Sequence, residues 1–540
     1  MALFGLATDA QVASLDLQLG RRATIVGGLS TGAIPVAAAL APSLLRRRPD
    51  LTDGVRTGEV TTDSAVIWAR APEAGRMMVR LRSGGRERLV KGPVATEATD
   101  FTARVHLTDL RPGRDYDVRV WFSQPGGEET ARLPASFRTA PIHAAPQRIV
   151  WSADTCGQGW GIDEERGGLS TYAAMHARRP DLFLHLGDTI YADEPMQESV
   201  RLEDGSTWRN DLTQEVTKVA ESLAEFRGRH RYPLRDDNVR ALYAEVPTVA
   251  MWDDHETCNN WWPGEILDDD RYTERRADVL AIRGRRAWQE YQPVPVRRLA
   301  PADGDGFVAN RLYRRVARGE HLDLFCIDMR SHRGPNSDTD PAVVRDRISA
   351  GILGREQEEW LIRSLRASRA TWKVICSDMP LSAPTNRTSD LDTYANADDG
   401  PPLGREPELA RILRALQRHR VRNVVWITAD VHYTAAYRYD PSRAAFTEFD
   451  PFWEFISGPA AASPFWTKDA ELDGTFGPEV VFSRGEEAVG KLDTPPQPTN
   501  QYFGQLDLAA DGALTVTLND GTGAQLWRRT LEPEPQLAPP

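Results

Sequence analysis

The chain has 540 residues, of which 41% are hydrophobic and 27% charged, and its formal net charge is −12 at pH 7. This composition excludes a mostly disordered or mostly membrane-embedded chain, and the length predicts a large domain with at least one smaller module. The acidic balance argues against a nucleic-acid scaffold as partner, because backbone phosphates need a surface rich in lysine and arginine. The four cysteines are too few and too scattered for a disulfide framework.

Residues 1–50 are predicted to be a leader or a disordered segment. Arg21-Arg22 precede an uncharged stretch that ends at Ala39-Leu40-Ala41, and this pattern resembles a twin-arginine export leader. The long segment before the arginines and the basic Arg46-Arg47-Arg48 after the stretch favour plain disorder instead. A leader implies a periplasmic or secreted protein, whereas its absence implies a cytoplasmic one. No other stretch is long and apolar enough to predict a transmembrane anchor.

The rest of the chain divides into two predicted domains and a tail. In residues 51–140, β-rich runs such as SAVIWARA and YDVRVWF alternate with turns, which predicts a small all-β sandwich. From 145 to 531, apolar runs alternate with amphipathic helices, at 352–368 and 407–419 most clearly, which is typical of a layered α/β domain. Asp511-Gly512 is predicted to be the turn of a late hairpin. The proline-rich residues 532–540 are predicted to be flexible.

Six apolar runs in the α/β region share one ending, an aspartate. Because sites in α/β folds gather where strands end, these carboxylates are predicted to converge, although a single aspartate more often caps a helix or begins a loop. Converging carboxylates repel each other unless cations lie among them, so the pattern predicts bound metals. The six residues are Asp154, Asp188, Asp254, Asp328, Asp378 and Asp430.

The neighbours of these aspartates strengthen the metal interpretation. Cys156 follows Asp154 by two residues and is either a ligand or a small buried hydrophobic side chain. Tyr191 follows Gly187-Asp188 and is either a ligand or a packed phenol. His255 stands among carboxylates, which suits a proton donor, and His432 follows Asp430 by two residues.

These motifs together resemble the calcineurin-like metallophosphoesterase superfamily, and within it the alkaline phosphatase D (PhoD-like) family. The matching blocks are Asp154-x-Cys156, Gly187-Asp188-x-x-Tyr191, Asp253-Asp254-His255-Glu256, Asp378-x-Pro380 and Ala429-Asp430-x-His432. The resemblance covers about residues 52–530. It implies a two-sheet metallophosphoesterase sandwich flanked by helices, preceded by the small β-sandwich.

The resemblance also implies a dinuclear metal centre that Asp188 bridges. One metal, Fe³⁺ by its thiolate and phenolate ligands, takes Asp154, Cys156, Tyr191 and His432. The second takes an oxygen-only set that suits Ca²⁺, namely Asp254, Asp378 and Asp430. Asp378 stands where the superfamily usually has histidine, and Asp328, which matches no ligand block, is expected to orient Arg330.

The expected reaction is metal-dependent hydrolysis of phosphate esters by a metal-bridging hydroxide. His255 and Arg330 are expected to stabilise the departing and equatorial oxygens, with Asn259 and Asn260 at metal or substrate. The expected partner is a small phosphoester. The alternatives are a phospholipase D-like or nucleotide phosphodiesterase, and a non-catalytic, metal-stabilised surface-binding protein.

Overall fold

The structure is a computed structural model, and it describes residues 49–295, 307–336, 351–384, 391–486 and 494–535. The predicted leader therefore lies almost wholly outside the described residues, as does the end of the predicted tail. Within these ranges, no helix has the length and apolar character needed to cross a membrane.

The described strands form two large sheets, one four-stranded sheet and one hairpin. Their bounds are β1 Val55–Gly58, β2 Ala65–Arg70, β3 Gly75–Ser83, β4 Arg86–Ala95, β5 Thr102–Leu107, β6 Asp115–Ser123, β7 Leu133–Arg138, β8 Gln147–Ser152, β9 Leu182–His185, β10 Ser199–Arg201, β11 Thr207–Arg209, β12 Thr248–Ala250, β13 Arg314–Ala317, β14 Leu322–Cys326, β15 Trp372–Cys376, β16 Val424–Thr428, β17 Thr434–Tyr439, β18 Phe452–Ser457, β19 Pro478–Arg484, β20 Tyr502–Leu508, β21 Leu514–Asp520 and β22 Gln525–Leu531.

The two large sheets pack face to face. One has the order β22-β21-β20-β8-β9-β12-β1-β2-β5, and the other β13-β14-β15-β16-β18-β17-β19. Their shared core contains Trp151 and Leu184 from the first sheet and Leu324, Val374 and Ile427 from the second, all essentially buried. The central strands are parallel, β8 to β9 to β12 in one sheet and β14 to β15 to β16 in the other. Such strands are buried on both faces, which explains their nearly continuous apolar sequences.

Six helices of the described residues cover the outer faces of this sandwich. They are α1 Ser170–Ala177, α2 Leu223–Arg231, α3 Asp237–Glu245, α4 Ala277–Tyr291, α5 Gly354–Ala367 and α6 Glu406–Arg418. Helices α5 and α6 pack Leu361 and Ile412 against Ile375 and Trp426 of the second sheet. Both helices confirm the amphipathic patterns in the sequence, and β20–β21 confirms the late hairpin, with Gly512 at φ 93° in its turn.

The N-terminal β-region shares a sheet with the α/β region. Strands β4-β3-β6-β7 form a sheet of their own, whereas β1, β2 and β5 belong to the first large sheet. The junction is one parallel pairing, Gly58 beside Thr248 at the start of β12. A Cβ at Gly58 would lie 2.5 Å from the Pro293 ring and 2.7 Å from the Thr248 carbonyl oxygen, so a larger residue would force the strands apart. The boundary predicted between residues 140 and 145 stays a prediction.

Every strand that ends in a predicted aspartate is one of the parallel strands. Strands β8, β9 and β12 lead to Asp154, Asp188 and Asp254, and β14, β15 and β16 lead to Asp328, Asp378 and Asp430. Because parallel strands present their carboxyl ends at the same edge, the two packed sheets bring six loops to one end of the sandwich. The fold therefore creates the place where carboxylates can meet.

Apart from these aspartates, a pair of carboxyl groups, Glu406 and Asp473, is buried at the start of α6. Glu406 Oε2 accepts hydrogen bonds from Asn396 Nδ2 at 2.9 Å and from the Leu403 amide at 2.8 Å, whereas Oε1 is buried and has no hydrogen-bond partner in the described part of the chain. Burial, reinforced by the negative charge of Asp473, raises the pKa of Glu406 to about 10. Glu406 is therefore protonated in the folded protein at neutral pH.

We predict that Glu406→Gln flattens the dependence of stability on pH. Folding takes up a proton at Glu406 between its ordinary pKa of 4.5 and its folded pKa of about 10, so its stabilising contribution is complete below pH 4.5 and is lost as the pH rises. In urea unfolding between pH 6 and 9, the wild type should lose about 1.4 kcal/mol per pH unit relative to the variant, which cannot ionise. Glu359→Gln, at an exposed helix position, is the control. Parallel curves for Glu406→Gln and wild type would contradict the assignment.

Candidate metal centre

Five of the predicted ligands lie in loops whose backbone is left-handed. Asp154, Cys156, Asp188, Asp430 and His432 have φ values of 62°, 64°, 49°, 66° and 54°. Each such residue costs about 1–3 kcal/mol, and non-glycine residues in this region concentrate at functional sites. Straight strand ends would turn successive side chains to opposite faces, so this conformation sets where the side chains point.

Three of the predicted ligands, Asp154, Tyr191 and His432, meet directly. The Tyr191 hydroxyl lies 2.8 Å from His432 Nε2 and 3.4 Å from Asp154 Oδ1, and His432 Nε2 lies 3.4 Å from the same carboxylate oxygen. The other ring nitrogen of His432, Nδ1, lies 2.5 Å from the Ser463 carbonyl oxygen. A proton on Nδ1 would leave the Nε2 lone pair directed at the site, the form in which imidazole binds metal.

A cluster of acidic residues, here called the carboxylate group, lies beside these three side chains. Asp188, Asp254 and His255 offer atoms within 4.8 Å of one another, as do Asp253, Asp254 and Asp430. Burial and the charges of Asp254 and Asp253 raise the pKa of Asp188 well above its ordinary value. Burial and Asp253 act in the same way on the pKa of Asp378 and of Asp430. Negative charge is therefore in excess at this end of the sandwich.

Several of these carboxylate oxygens are buried without a hydrogen bond. Among the described residues no hydrogen-bond donor reaches Oδ2 of Asp154, Oδ1 of Asp254 or either oxygen of Asp378. Gly458 leaves room in front of Asp154, since a Cβ there would lie 2.4 Å from Oδ2. Buried anions need hydrogen bonds or cations, so the residues present fit bound metal ions.

Cys156 is not brought into this group. The thiol is packed in an apolar cluster that includes Ile162, Tyr172 and Tyr232, and burial raises its pKa. A thiolate ligand has to be deprotonated and directed at the metal. This packing agrees with the alternative interpretation, in which Cys156 is a small buried side chain. Its backbone nevertheless belongs to the loop that carries Asp154.

Glu256 is a site residue that the strand-end pattern did not indicate. Its Oε1 accepts from the Thr189 amide at 2.6 Å and the Thr189 hydroxyl at 2.7 Å, and its Oε2 accepts from the amides of Asp253 at 2.7 Å and Asp188 at 3.1 Å. One carboxylate thus joins the loop after β9 to the loop after β12. Gly187 permits this approach, since it has φ 132° and a Cβ there would lie 2.6 Å from the Asp253 Cβ.

His255 is held by a second unpredicted residue, Asp193. His255 Nδ1 lies 2.7 Å from Asp193 Oδ1, and its ring stacks on Tyr191 with centroids 4.1 Å apart. Burial by itself would lower the pKa of His255, but the carboxylates of Asp193 and Asp254 outweigh it and hold this pKa well above its ordinary value. These carboxylates favour the imidazolium form of His255, in which Nε2 is a second ring donor.

Arg330 is fully buried and bound to carboxylates. Its Nε lies 2.6 Å from Asp253 Oδ1, and its Nη2 lies 2.9 Å from Asp392 Oδ2 and 3.6 Å from Asp254 Oδ1. Asp328 acts on it through the backbone, because Oδ1 of Asp328 accepts from the Arg330 amide at 3.2 Å. The structure thus places Arg330 as a counter-ion of the carboxylate group, and its Nη1 has no hydrogen bond to any described residue.

The two asparagines border the same carboxylates through their backbone. The Asn260 amide donates to Asp254 Oδ2 at 2.6 Å, and the Asn259 amide donates to Asp193 Oδ2 at 2.8 Å. Asn260 has φ 53°, a further left-handed residue at this end. Both residues therefore shape the loop after β12.

The chain is similar to known proteins over most of its length. The family model for PhoD-like phosphatase matches residues 149–518, and the model for the N-terminal domain of PhoD-like phosphatases matches residues 37–141. Alkaline phosphatase D of Bacillus subtilis (strain 168) is 26% identical over 441 residues, which cover 75% of this chain and 69% of that protein.

Two solved structures share the fold. The structure of PhoD has a TM-score of 0.66 at 18% identity and covers 91% of this chain and 93% of its own. Purple acid phosphatase PPD1 from yellow lupin seeds has a TM-score of 0.52 at 12% identity, over 89% of this chain and 74% of its own. These likenesses confirm the predicted fold class, a metallophosphoesterase sandwich flanked by helices after an all-β N-terminal region.

We predict that Glu256→Gln weakens metal binding. All four groups that contact Glu256 are hydrogen-bond donors. The amide of glutamine would direct its own N–H groups at two of these donors, and this repulsion would loosen the loops that carry Asp188 and Asp254. Metal affinity, measured by equilibrium dialysis of stripped protein, should fall about 10- to 100-fold. Glu245→Gln, at the exposed end of α3, should bind metal as wild type does. Unchanged affinity in Glu256→Gln would show that the loops do not depend on this carboxylate.

Proposed function

Since the chain belongs to the PhoD-like phosphatase family, we propose that its buried carboxylates hold a dinuclear metal centre for the hydrolysis of both phosphate monoesters and diesters. The enzyme is a metal-dependent hydrolase of phosphoric esters. The observation that carries the proposal is the set of buried carboxylate oxygens on Asp154, Asp254 and Asp378 that no donor of the described residues reaches.

The ligand sets divide by chemistry. Asp154, Tyr191 and His432 would hold one ion, and a phenolate with an imidazole suits Fe³⁺ better than an alkaline-earth ion. Asp254, Asp378 and Asp430 would hold a hard ion such as Ca²⁺, and Asp188 would bridge the two. Cys156 would join the first set as a thiolate only after turning out of its apolar cluster, so the support for iron comes mainly from Tyr191.

The ions and the protein have separate tasks. When bound, the ions supply Lewis acidity, which makes hydroxide available near neutral pH and neutralises phosphoryl oxygens. His255 would donate the proton on Nε2 to the departing ester oxygen while Asp193 holds Nδ1. Arg330 balances the charge of Asp253 and Asp254 and holds both carboxylates in position beside the ligand loops. The low exposure of these groups limits the access of water and strengthens each charge interaction.

A cleft along the loop that follows Cys156 supports substrates larger than a simple phosphate ester. A cleft of about 890 Å³ begins at Gln158, two residues beyond Cys156, and its wall includes Trp160, Arg201 and Glu486. This volume accommodates a drug-sized group, so an alcohol or a second esterified group of that size fits. The cleft therefore supports activity on diesters, such as nucleotide or phospholipid esters, as well as on monoesters.

We also propose that Arg21-Arg22 belong to a twin-arginine leader that ends at Ala41. The uncharged stretch between them supports this proposal, and export of a folded chain suits an enzyme that is loaded with metal before it crosses the membrane. N-terminal sequencing of the exported enzyme tests it, and a mature protein that retains residue 1 would overturn it.

We predict that Asp188→Ala removes both the metal and the activity. Asp188 alone would contact both ions, so its loss should leave less than one equivalent of metal by elemental analysis, and hydrolysis of p-nitrophenyl phosphate and bis-p-nitrophenyl phosphate should stop. Asp270→Ala, whose carboxylate is fully exposed, should keep both. Retention of full activity in Asp188→Ala would overturn the proposed centre.

We predict that His255→Ala discriminates between leaving groups. Without the donor, hydrolysis of an alkyl phosphate should slow about 10²- to 10⁴-fold, whereas p-nitrophenyl phosphate, whose leaving group needs little protonation, should lose much less. His176→Ala, at a partly exposed position on α1, is the control. An equal loss on both substrates would contradict proton donation by His255.

A further inference from the structure

We propose that Arg333 binds a non-bridging oxygen of the substrate phosphoryl group, and that it retains the phosphate product in the same way. The inference rests on the proposed function, because it requires a phosphoester at the carboxylate group. It changes the expectation for Arg330, which the sequence had placed in this role.

Arg333 is a buried cation, and some of its hydrogen-bond donors have no partner among the described residues. Its side chain is completely buried, and neither Nε nor Nη1 has a hydrogen-bond partner among the residues that the structure describes. Nη2 donates to Asn336 Oδ1 at 2.8 Å and to the Asp392 carbonyl oxygen. Burial of unsatisfied charged donors is unfavourable, so a bound ligand or an ordered water commonly satisfies such groups in a folded protein.

The contrast with Arg330 decides which guanidinium is available. Arg330 has carboxylate oxygens at 2.6 and 2.9 Å, whereas the nearest carboxylate oxygen recorded for Arg333 is Asp392 Oδ2 at 3.9 Å. That oxygen is the one already bound by Arg330 at 2.9 Å. Burial and the charge of Arg330 lower the pKa of Arg333 to about 10, which still leaves it protonated at neutral pH. Within the described ranges, its positive charge is therefore only weakly compensated.

Arg333 lies at the edge of the metal centre. Asn336, which accepts from Arg333, donates through Nδ2 to the Asn260 carbonyl oxygen at 2.6 Å, and the Asn260 amide donates to Asp254. Asp378 and Asp253 are close enough to act on the charge of Arg333. A phosphoryl group held by ions among these carboxylates carries anionic oxygens, which a guanidinium binds through charge-assisted hydrogen bonds.

The test uses metal-loaded enzyme and inorganic phosphate as the probe. In Arg333→Gln, the dissociation constant of phosphate from calorimetry should rise at least about tenfold, as expected for a lost charge-assisted hydrogen bond, with a similar fall in kcat/KM for p-nitrophenyl phosphate. Arg333→Lys, which keeps the charge, should recover part of both. The metal content should stay at the wild-type value.

The control is Arg318→Gln. Arg318 is equally buried, but its donors are bound by Gln147 and the Val60 carbonyl oxygen, so its loss should affect stability without changing phosphate affinity. The proposal is overturned if Arg333→Gln binds phosphate within twofold of wild type, or if both Arg333 variants lose activity only in proportion to lost metal. If wild-type enzyme loaded with metal neither binds phosphate nor hydrolyses the ester, the proposed function itself fails.

Discussion

Electrostatic repulsion among buried carboxylates is the constraint on which this structure depends. Asp154, Asp188, Asp254, Asp378 and Asp430 meet at one end of a two-sheet sandwich, where burial raises the pKa of three of them. Arg330 and His255 offset part of this charge through Asp253, Asp254 and Asp193. The remainder requires cations, so the fold and the metals have to be understood together.

The surrounding protein holds these charges in place at a cost. Parallel strands set the loops at a common edge, left-handed residues turn the ligands inward, and Glu256 joins two of the loops through four hydrogen bonds. Loops of this kind would relax if the packed sheets beneath them were less rigid. The closely packed core around Trp151 and Val374 therefore serves the chemistry as directly as the ligands do.

Much of the fold was predictable, because it follows from local patterns. Helices α5 and α6 show the apolar period of a helix, the hairpin at Asp511-Gly512 has a favoured turn sequence, and the apolar runs that end in aspartate are parallel strands. Whether six strand ends meet depends on the topology of the sheets. The aspartate that recurs at the end of each run was the sequence pattern that predicted this meeting. The pairing of β1 with β12 was not predictable in this way, because a single pairing at Gly58 produces no recognisable sequence pattern.

The site was predictable only in part, since side-chain partners depend on three-dimensional packing. Cys156 shows this, because a residue in a ligand loop can face the metals or the core, and its side chain contacts an apolar cluster. Asp193 and Arg333 lie outside the predicted motifs and Glu256 lies within one, and only their contacts identify these three residues as part of the site. An arginine three residues after Arg330 was the one sequence signal for a second guanidinium.

The most direct test of this account is stepwise reconstitution of metal-stripped enzyme, with bound metal, melting temperature and phosphoester hydrolysis followed on the same samples. We expect the stripped protein to be inactive and less stable, because its carboxylates lack counter-ions, and both properties to rise together until two ions are bound per chain. Full hydrolysis by protein that contains no metal, or activity that is independent of the equivalents bound, would contradict it.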